Sequence, residues 1–283
     1  MTALWRDALR GIPPDSRIDT HTHTCYSDGT DTPAELIRRS IAAGLSGISI
    51  TDHDTIKGYN EAIRLFLPSN FVIVPGVELT AYENGEEIHI LGYGFDPNCP
   101  ELVDYLAKFC LARIDRARKI LENLSLEGVN LDFDDLVKKY EGIPVGRMHI
   151  AVELLNRGYC RSIFSAFGRW LSNGSEFVEP KYMLHVSEAT ALIHRAGGKA
   201  VLAHPGALPT RIQITPLISL GLDGIEARYP FHHPMQEKAY LRYAAKRGIP
   251  VTGGSDYHGI ARRPVPPGAR FTTAQELLQL MKE

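Results

Sequence analysis

Cysteine is scarce in this chain of 283 residues: Cys25, Cys99, Cys110 and Cys160 are all there are, and no two form a C-x-x-C pair. That excludes a dense disulfide framework and fits free thiols in a reducing cytosol. Charge of one sign is missing too. Lys and Arg number 31 against 33 Asp and Glu, a net −2. No overall field draws the chain to nucleic acid or membrane, so attraction for an anionic substrate has to be local. No apolar run reaches the roughly 18 residues of a membrane span. The opening MTALWRDALR is too short and too charged for a signal peptide. Internal repeats and low-complexity segments are absent, and Pro264–Pro267 is at most a rigid surface loop. A cytoplasmic protein with no membrane contact and no obligate protein partner is expected. What the chain does have is 44% hydrophobic residues, enough for a sizeable core, and eleven histidines.

The first 98 residues alternate strand and helix signals. Strands are expected over residues 17–23, 46–51 and 71–77, with helical spacing over 59–67. Thr32-Pro33-Ala34-Glu35 is a capping box, opening a helix that Gly44 stops. Asn84-Gly85 marks a hairpin turn, with 87–93 as its return strand. Helical patterns then fill 101–126, 132–140, 147–157 and 162–171, with no convincing strand before Lys199. Residues 99–186 therefore read as a helical insertion. Alternation resumes with a helix at 187–196, strands at 200–203, 225–228 and 250–253, and a helix at 235–247. A second capping box, Thr273-Ala274-Gln275-Glu276, opens a terminal helix. Strands spaced by helices imply an α/β fold with parallel pairing and right-handed crossovers. The metal-binding domain is expected at 1–98 and 187–283, with the insertion at 99–186 capping the active site.

The histidines and acids gather at strand ends. His21 and His23 point to one side of the first strand and can present two imidazoles to one ion. Alone, H-x-H is as well explained by structural histidines. The pattern recurs, however, at Asp52-His53-Asp54, at Glu78, at His204 and at Asp256-Tyr257-His258. In barrels of parallel strands the C-terminal strand ends converge on one face. Five ends bearing buried-type charge need a common partner, and a metal is the natural one.

The segments DTHTHTCYSDGTDTP, ITDHDT, PGVELTA, EIHILGYGF, AVLAHPG and VTGGSDYHG span nearly the whole chain. In them the sequence resembles the polymerase and histidinol phosphatase (PHP) family of the amidohydrolase superfamily. GIPVGRMHIAVELLNRGY is similar to the entry into the insertion of its branch acting on nucleotide 3′-phosphates and short oligonucleotides. The resemblance implies a distorted (β/α)7 barrel and a trinuclear centre. Its first ion would take His21, His23, Glu78 and Asp256. The second would take Glu78 as a bridge, with His89 and His204. The third would take Asp28, His53 and His258, with Asp28 where other branches carry His. Manganese is the ion the family implies, with Zn²⁺ or Fe²⁺ also suited to mixed imidazole and carboxylate ligands. Three divalent ions, the three carboxylates and one bridging hydroxide leave a centre of about +2, which a phosphate dianion neutralises.

The implied activity is hydrolysis of 3′,5′-nucleotide bisphosphates such as pAp to the 5′-monophosphate and phosphate, by a metal-bridging hydroxide. The alternative is a 5′→3′ exonuclease on short RNA or DNA. A different class is a non-catalytic PHP module that binds metal for structure; the complete ligand set argues against it. Histidinol phosphatase is disfavoured by the insertion. Asp256 would serve as ligand and catalytic group, and His232 matches a branch histidine suited to protonate the leaving oxygen or touch phosphate. A surface histidine explains His232 nearly as well. Arg147 and His149 open a helix in the branch's G-R-x-H-I-A pattern and would seat a 5′-phosphate. Two departures stand out. Ser175 and Glu176 occupy a turn where the branch usually has a basic residue, for which Lys181 is a substitute. Arg228 replaces a commonly aromatic residue, as either a phosphate contact or a solvated strand-end Arg. Asp19, Asp52 and Asp54 are expected to orient ligand histidines, and His185 and His194 to be structural.

Overall fold

The computed structural model describes residues 4–141, 143, 145–260 and 264–282; Gly142 and Pro144 of the insertion-entry motif lie outside them. The chain divides into two compact units, Met1–Val103 with Leu184–Glu283, and Asp104–Met183.

In the first unit the order is α1 (Leu4–Gly11), β1 (Arg17–Thr22), α2 (Pro33–Ala42), β2 (Gly47–Ile50), α3 (Lys57–Ala62), β3 (Val72–Val74), β4 (Gly76–Glu83) and β5 (Glu86–Tyr93). The long α4 (Pro100–Leu126) leads into the second unit, made of α5 (Phe133–Lys139), α6 (Arg147–Asn156), α7 (Ile163–Ala166) and a π-helical turn (Phe167–Leu171). The first unit then resumes with β6 (Leu184–His185), α8 (Val186–Arg195), β7 (Lys199–Leu202), α9 (Ile214–Ser219), β8 (Gly224–Arg228), α10 (Pro234–Arg247), β9 (Val251–Gly253), β10 (Thr272–Thr273) and α11 (Ala274–Leu280).

Local signals account for most of these elements. Thr32 and Glu35 close the capping box of α2, and Thr273 and Glu276 that of α11. The core strands are short apolar runs buried on both faces, as strands covered by helices are. Asn84 and Gly85 both adopt left-handed backbone, at φ 50° and 78°, which a two-residue hairpin of matching twist demands.

The strands form two sheets, ordered β10-β1-β2-β3 and β6-β4-β5-β7-β8-β9. Parallel pairing holds for β1-β2-β3 and β7-β8-β9. It fails around β5, which is antiparallel to β4 and to β7 because the hairpin reverses the chain. Two isolated bridges, Thr22 with Tyr257 and His53 with Glu78, link the sheets. One core of the first unit packs Trp5, Leu9, Tyr93 and Leu277, and another packs Leu36, Ile48, Tyr59 and Tyr257. The second unit has its own core, around Leu124, Ile150, Leu154 and Trp170.

Candidate metal centre

The two sheet-linking bridges lie among the strand ends singled out above. His21 and His23 come from the end of β1, Asp28 from the turn after it, and His53 from the loop after β2. Glu78 stands inside β4 and His89 inside β5. His204 follows β7, and Asp256 and His258 follow β9. The backbone holds these ends together: His23 N–H donates to Tyr257 O at 2.8 Å, Asp256 N–H to His21 O at 2.8 Å, and Asp54 N–H to Glu78 O at 2.9 Å.

Glu78 is the hub. Its Oε1 lies 2.8 Å from His89 Nδ1 and 3.2 Å from His204 Nε2. Its Oε2 lies 3.2 Å from His21 Nε2, 3.2 Å from His23 Nε2 and 3.4 Å from His53 Nδ1. Asp256 Oδ1 is 3.4 Å from His21 Nε2 and 3.2 Å from His23 Nε2. Asp28 Oδ1 faces His258 Nε2 at 3.1 Å and His53 Nε2 at 3.9 Å. All nine side chains thus meet, in four overlapping groups of donor atoms: His23, Asp28, His53 and His258; His21, His23 and Asp256; His21, Glu78 and His204; His53, Glu78 and His89.

These groups of donor atoms could hold metal ions. Burial disfavours every charge in it, and the mutual attraction of imidazolium and carboxylate outweighs that cost. His23 is pushed up to about 9, with Asp256 and Glu78 hydrogen-bonded to it. His89 rises to about 10 against Glu78 and Glu87, and His21 rises well above its usual value beside Glu226, Glu78 and Asp256. Asp28, Glu78 and Asp256 are driven well below the carboxylate range by the histidines around them. His53, burial prevailing, falls to about 3. His23 Nδ1 is buried with no hydrogen-bond partner, and His89 Nδ1 meets only the Glu78 carboxylate, 2.8 Å away. The donor set of imidazoles and carboxylates suits first-row divalent metals.

The supporting residues split differently from the sequence expectation. Asp19 accepts from the N–H groups of His21, Ser255 and Gly268, at 3.2, 2.9 and 2.7 Å, and burial pushes it up to about 6. Asp52 holds the Thr24 N–H and the Thr24 and Ser27 hydroxyls at 2.6–2.7 Å. Asp54 holds the N–H and hydroxyl of Thr80 at 2.8 and 2.7 Å. These acids shape the loops. Imidazole rings are gripped instead by Glu87, 3.0 Å from His89 Nε2, and by Glu226, 2.9 Å from His21 Nδ1. Sequence reading missed Glu226; an acid in the otherwise apolar strand Gly-Ile-Glu-Ala was the available signal. Tyr229 was missed as well: it donates its hydroxyl to Asp256 Oδ2 at 2.9 Å. His204 and Asp256 both carry left-handed backbone, at φ 26° and 51°, strain of the kind that functional sites store.

Other candidate residues stand elsewhere. His232 is buried; Nδ1 donates to Ala227 O at 3.0 Å and Nε2 accepts from Gly206 N–H at 3.0 Å. Both ring nitrogens are engaged, so it ties the end of β8 to the loop after His204. Arg228 makes a bidentate pair with Glu276, at 2.5 and 3.1 Å. Arg147, His149 and Lys181 belong to the second unit. Arg147 donates to Leu171 O at 2.9 Å and Asn173 Oδ1 at 2.6 Å. His149 Nδ1 accepts from Gly146 N–H at 2.9 Å, capping α6. His185 and His194 pair with Glu83 and Asp223, at 2.6 and 2.7 Å.

Comparison with known proteins accords with this geometry. A sequence model of the PHP domain matches residues 19–143. The 3′,5′-nucleoside bisphosphate phosphatase of Chromobacterium violaceum is 30% identical over 253 residues, covering 86% of this chain and 87% of that one. The chain belongs to the PHP family. A second PHP relative, the 5′-3′ exoribonuclease Rnm of Salmonella typhimurium, is 33% identical over 254 residues, covering 85% of this chain and 84% of its own. Among solved structures, a candidate metal-dependent phosphoesterase from Bifidobacterium adolescentis superposes with a TM-score of 0.83 at 31% identity, covering 95% of this PHP chain and 97% of that one. Among the described residues no helix is long and apolar enough to cross a membrane.

Proposed function

We propose that this PHP phosphoesterase removes the 3′-phosphate of 3′,5′-nucleotide bisphosphates, pAp giving AMP and phosphate. The observation that carries the reading is the hub of Glu78, whose two carboxylate oxygens lie within 3.4 Å of five imidazoles. The names of the relatives supply the substrate class.

In this reading the nine side chains hold three divalent ions, Mn²⁺ first, with Zn²⁺ or Fe²⁺ as substitutes. His21, His23, Glu78 and Asp256 hold one, Glu78, His89 and His204 the next, and Asp28, His53 and His258 the third. Bound there, the ions lower the pKa of water and polarise phosphoryl oxygens. The chain's own part is to fix the geometry. Glu78 would serve two of the sites, since Oε1 faces His89 and His204 while Oε2 faces His21 and His23. Tyr229 holds the unshared oxygen of Asp256, keeping Oδ1 turned to His21 and His23. The two bridged sheets are an opened form of the seven-stranded barrel, and the protein works in the cytoplasm.

Arg147, His149 and Lys181 are proposed to recognise the 5′-phosphate. Exchanging Arg147 for Ala should raise KM for pAp on the order of tenfold or more and leave a simple aryl phosphate almost unaffected. Equal losses on both substrates would remove the role. The decisive experiment is a kinetic screen on metal-defined protein, comparing pAp, AMP and a 5′-phosphorylated pentanucleotide. Preference for pAp supports the phosphatase; preference for the pentanucleotide moves the chain to the exoribonuclease activity of its Salmonella relative. No turnover with any divalent ion leaves the non-catalytic module.

A further inference from the structure

Glu226 lies in the middle of β8, fully buried, between the apolar Ile225 and Ala227. A buried carboxylate is costly unless its oxygens are used. Here each oxygen has one partner: Oε1 takes the ring of His21 through Nδ1 at 2.9 Å, and Oε2 takes the backbone N–H of His204 at 2.8 Å. The two partners come from different sheets, His21 from β1 and His204 from the loop after β7. They also meet across Glu78 in one group of donor atoms.

We infer that Glu226 is a positioning residue that sets one ligand for each of the first two ions. The inference rests on the metal-centre reading above. An ionised carboxylate only accepts hydrogen bonds. Bound to it, His21 must carry its ring proton on Nδ1. With a metal bound, the lone pair would then be on Nε2, the atom that faces His23, Glu78 and Asp256 at 3.1–3.4 Å. The other oxygen acts on the main chain. His204 has φ 26° and ψ 62°, a conformation that a non-glycine residue keeps only when its surroundings enforce it. The Glu226 bond to its N–H is such a constraint, and His232 secures the same loop two residues on at Gly206 N–H. One side chain thereby chooses the tautomer of one ligand and the backbone of another.

The test is E226Q, read by metal binding. An amide offers one acceptor where two donors must be met, so either His21 changes tautomer or the His204 N–H faces another donor. Titration of metal-free protein with Mn²⁺, followed by calorimetry and metal analysis, should show the first two ions weakened by about tenfold to a hundredfold, while the ion of Asp28, His53 and His258 keeps its affinity. Nitrogen-15 spectra should tell the two apart, showing either loss of the Nδ1–H signature of His21 or its retention with a shifted His204 amide. If E226Q does not fold, E226D is read by the same criteria, since it keeps the charge and shortens the reach. Unchanged affinity for all ions would overturn the inference and leave the metal centre standing. An equal fall at all three sites, together with a lower Tm of the metal-free protein, would reduce Glu226 to an ordinary structural residue and also overturn it. Wild-type protein that takes up no ion would overturn both the inference and the metal-centre reading.

Discussion

The two units solve the same folding problem with opposite materials. Among the described residues of the second unit, the only buried polar or charged side chain is His149, which caps its own helix. Its core is Leu, Ile, Val, Ala and Trp, and its ion pairs are of the exposed kind, such as Lys139 with Glu153 at 2.5 Å. The first unit buries Asp19, Asp52, Asp54, Glu78, Glu226 and Asp256 together with His21, His23, His232 and His258. Hydrophobic burial suffices to hold a domain of this kind together, as the second unit demonstrates. Charge in an interior lowers stability unless something repays it. The cost is concentrated where strand ends meet, which is where a ligand can offset it.

Breaking this contrast begins with the hub. E78Q should lower kcat/KM on the order of a thousandfold or more and reduce bound metal, measured by kinetics with metal analysis. Activity retained without metal would end the account. Chelation is next. If the first unit depends on ions to neutralise its interior, saturating Mn²⁺ at about a thousand times its Kd should stabilise the protein by about 4 kcal/mol, seen as a higher Tm. L154A sharpens the other side. It should cost about 2–5 kcal/mol of stability through a cavity in the second core, while metal content at low temperature stays at the wild-type value. Y229F, which removes only the hydroxyl on Asp256, should lower kcat/KM about tenfold with the fold intact.

The smallest effect expected is at the surface of the first unit. Burial works to raise the Glu276 carboxyl, and the Arg228 pair outweighs it, leaving Glu276 below its usual 4.5. A depressed carboxyl stabilises above its unfolded pKa and loses that contribution as pH falls through its folded pKa. E276Q should therefore flatten the acid side of the stability curve by about 1 kcal/mol or less, measured by urea melts below pH 5.

Much of the fold was legible because helices announce themselves locally. Both capping boxes, the hairpin turn and the run of insertion helices were readable from spacing alone. Pairing was not, since a short apolar strand carries no mark of its neighbour. The antiparallel setting of β5 and the division into two sheets therefore emerge only in three dimensions. The two-residue strands β6 and β10, and the short helices α1 and α9, are too brief or too weakly patterned to stand out. At the site, His21, His23, His53, His204 and His258 were legible as strand-end residues. His89 sits mid-strand and was reached only through family resemblance. Asp19, Asp52 and Asp54 were assigned to imidazoles because they neighbour them in sequence, but their hydrogen bonds run to backbone N–H groups and hydroxyls. Glu226 lies 205 residues from His21 along the chain, so only the folded β8 brings the two together.

The pair of single bridges between the sheets, Thr22 with Tyr257 and His53 with Glu78, carries one last consequence. Backbone hydrogen bonds such as His23 to Tyr257 and Asp54 to Glu78 join the two sheets of the first unit there, and the nine donor side chains straddle that seam. Ions gripped across it would add cross-links to the shared core and backbone bonds that already join the sheets, much as a disulfide does in a secreted protein. In a chain with four free thiols and no such covalent tie, the cofactor itself would be the rivet.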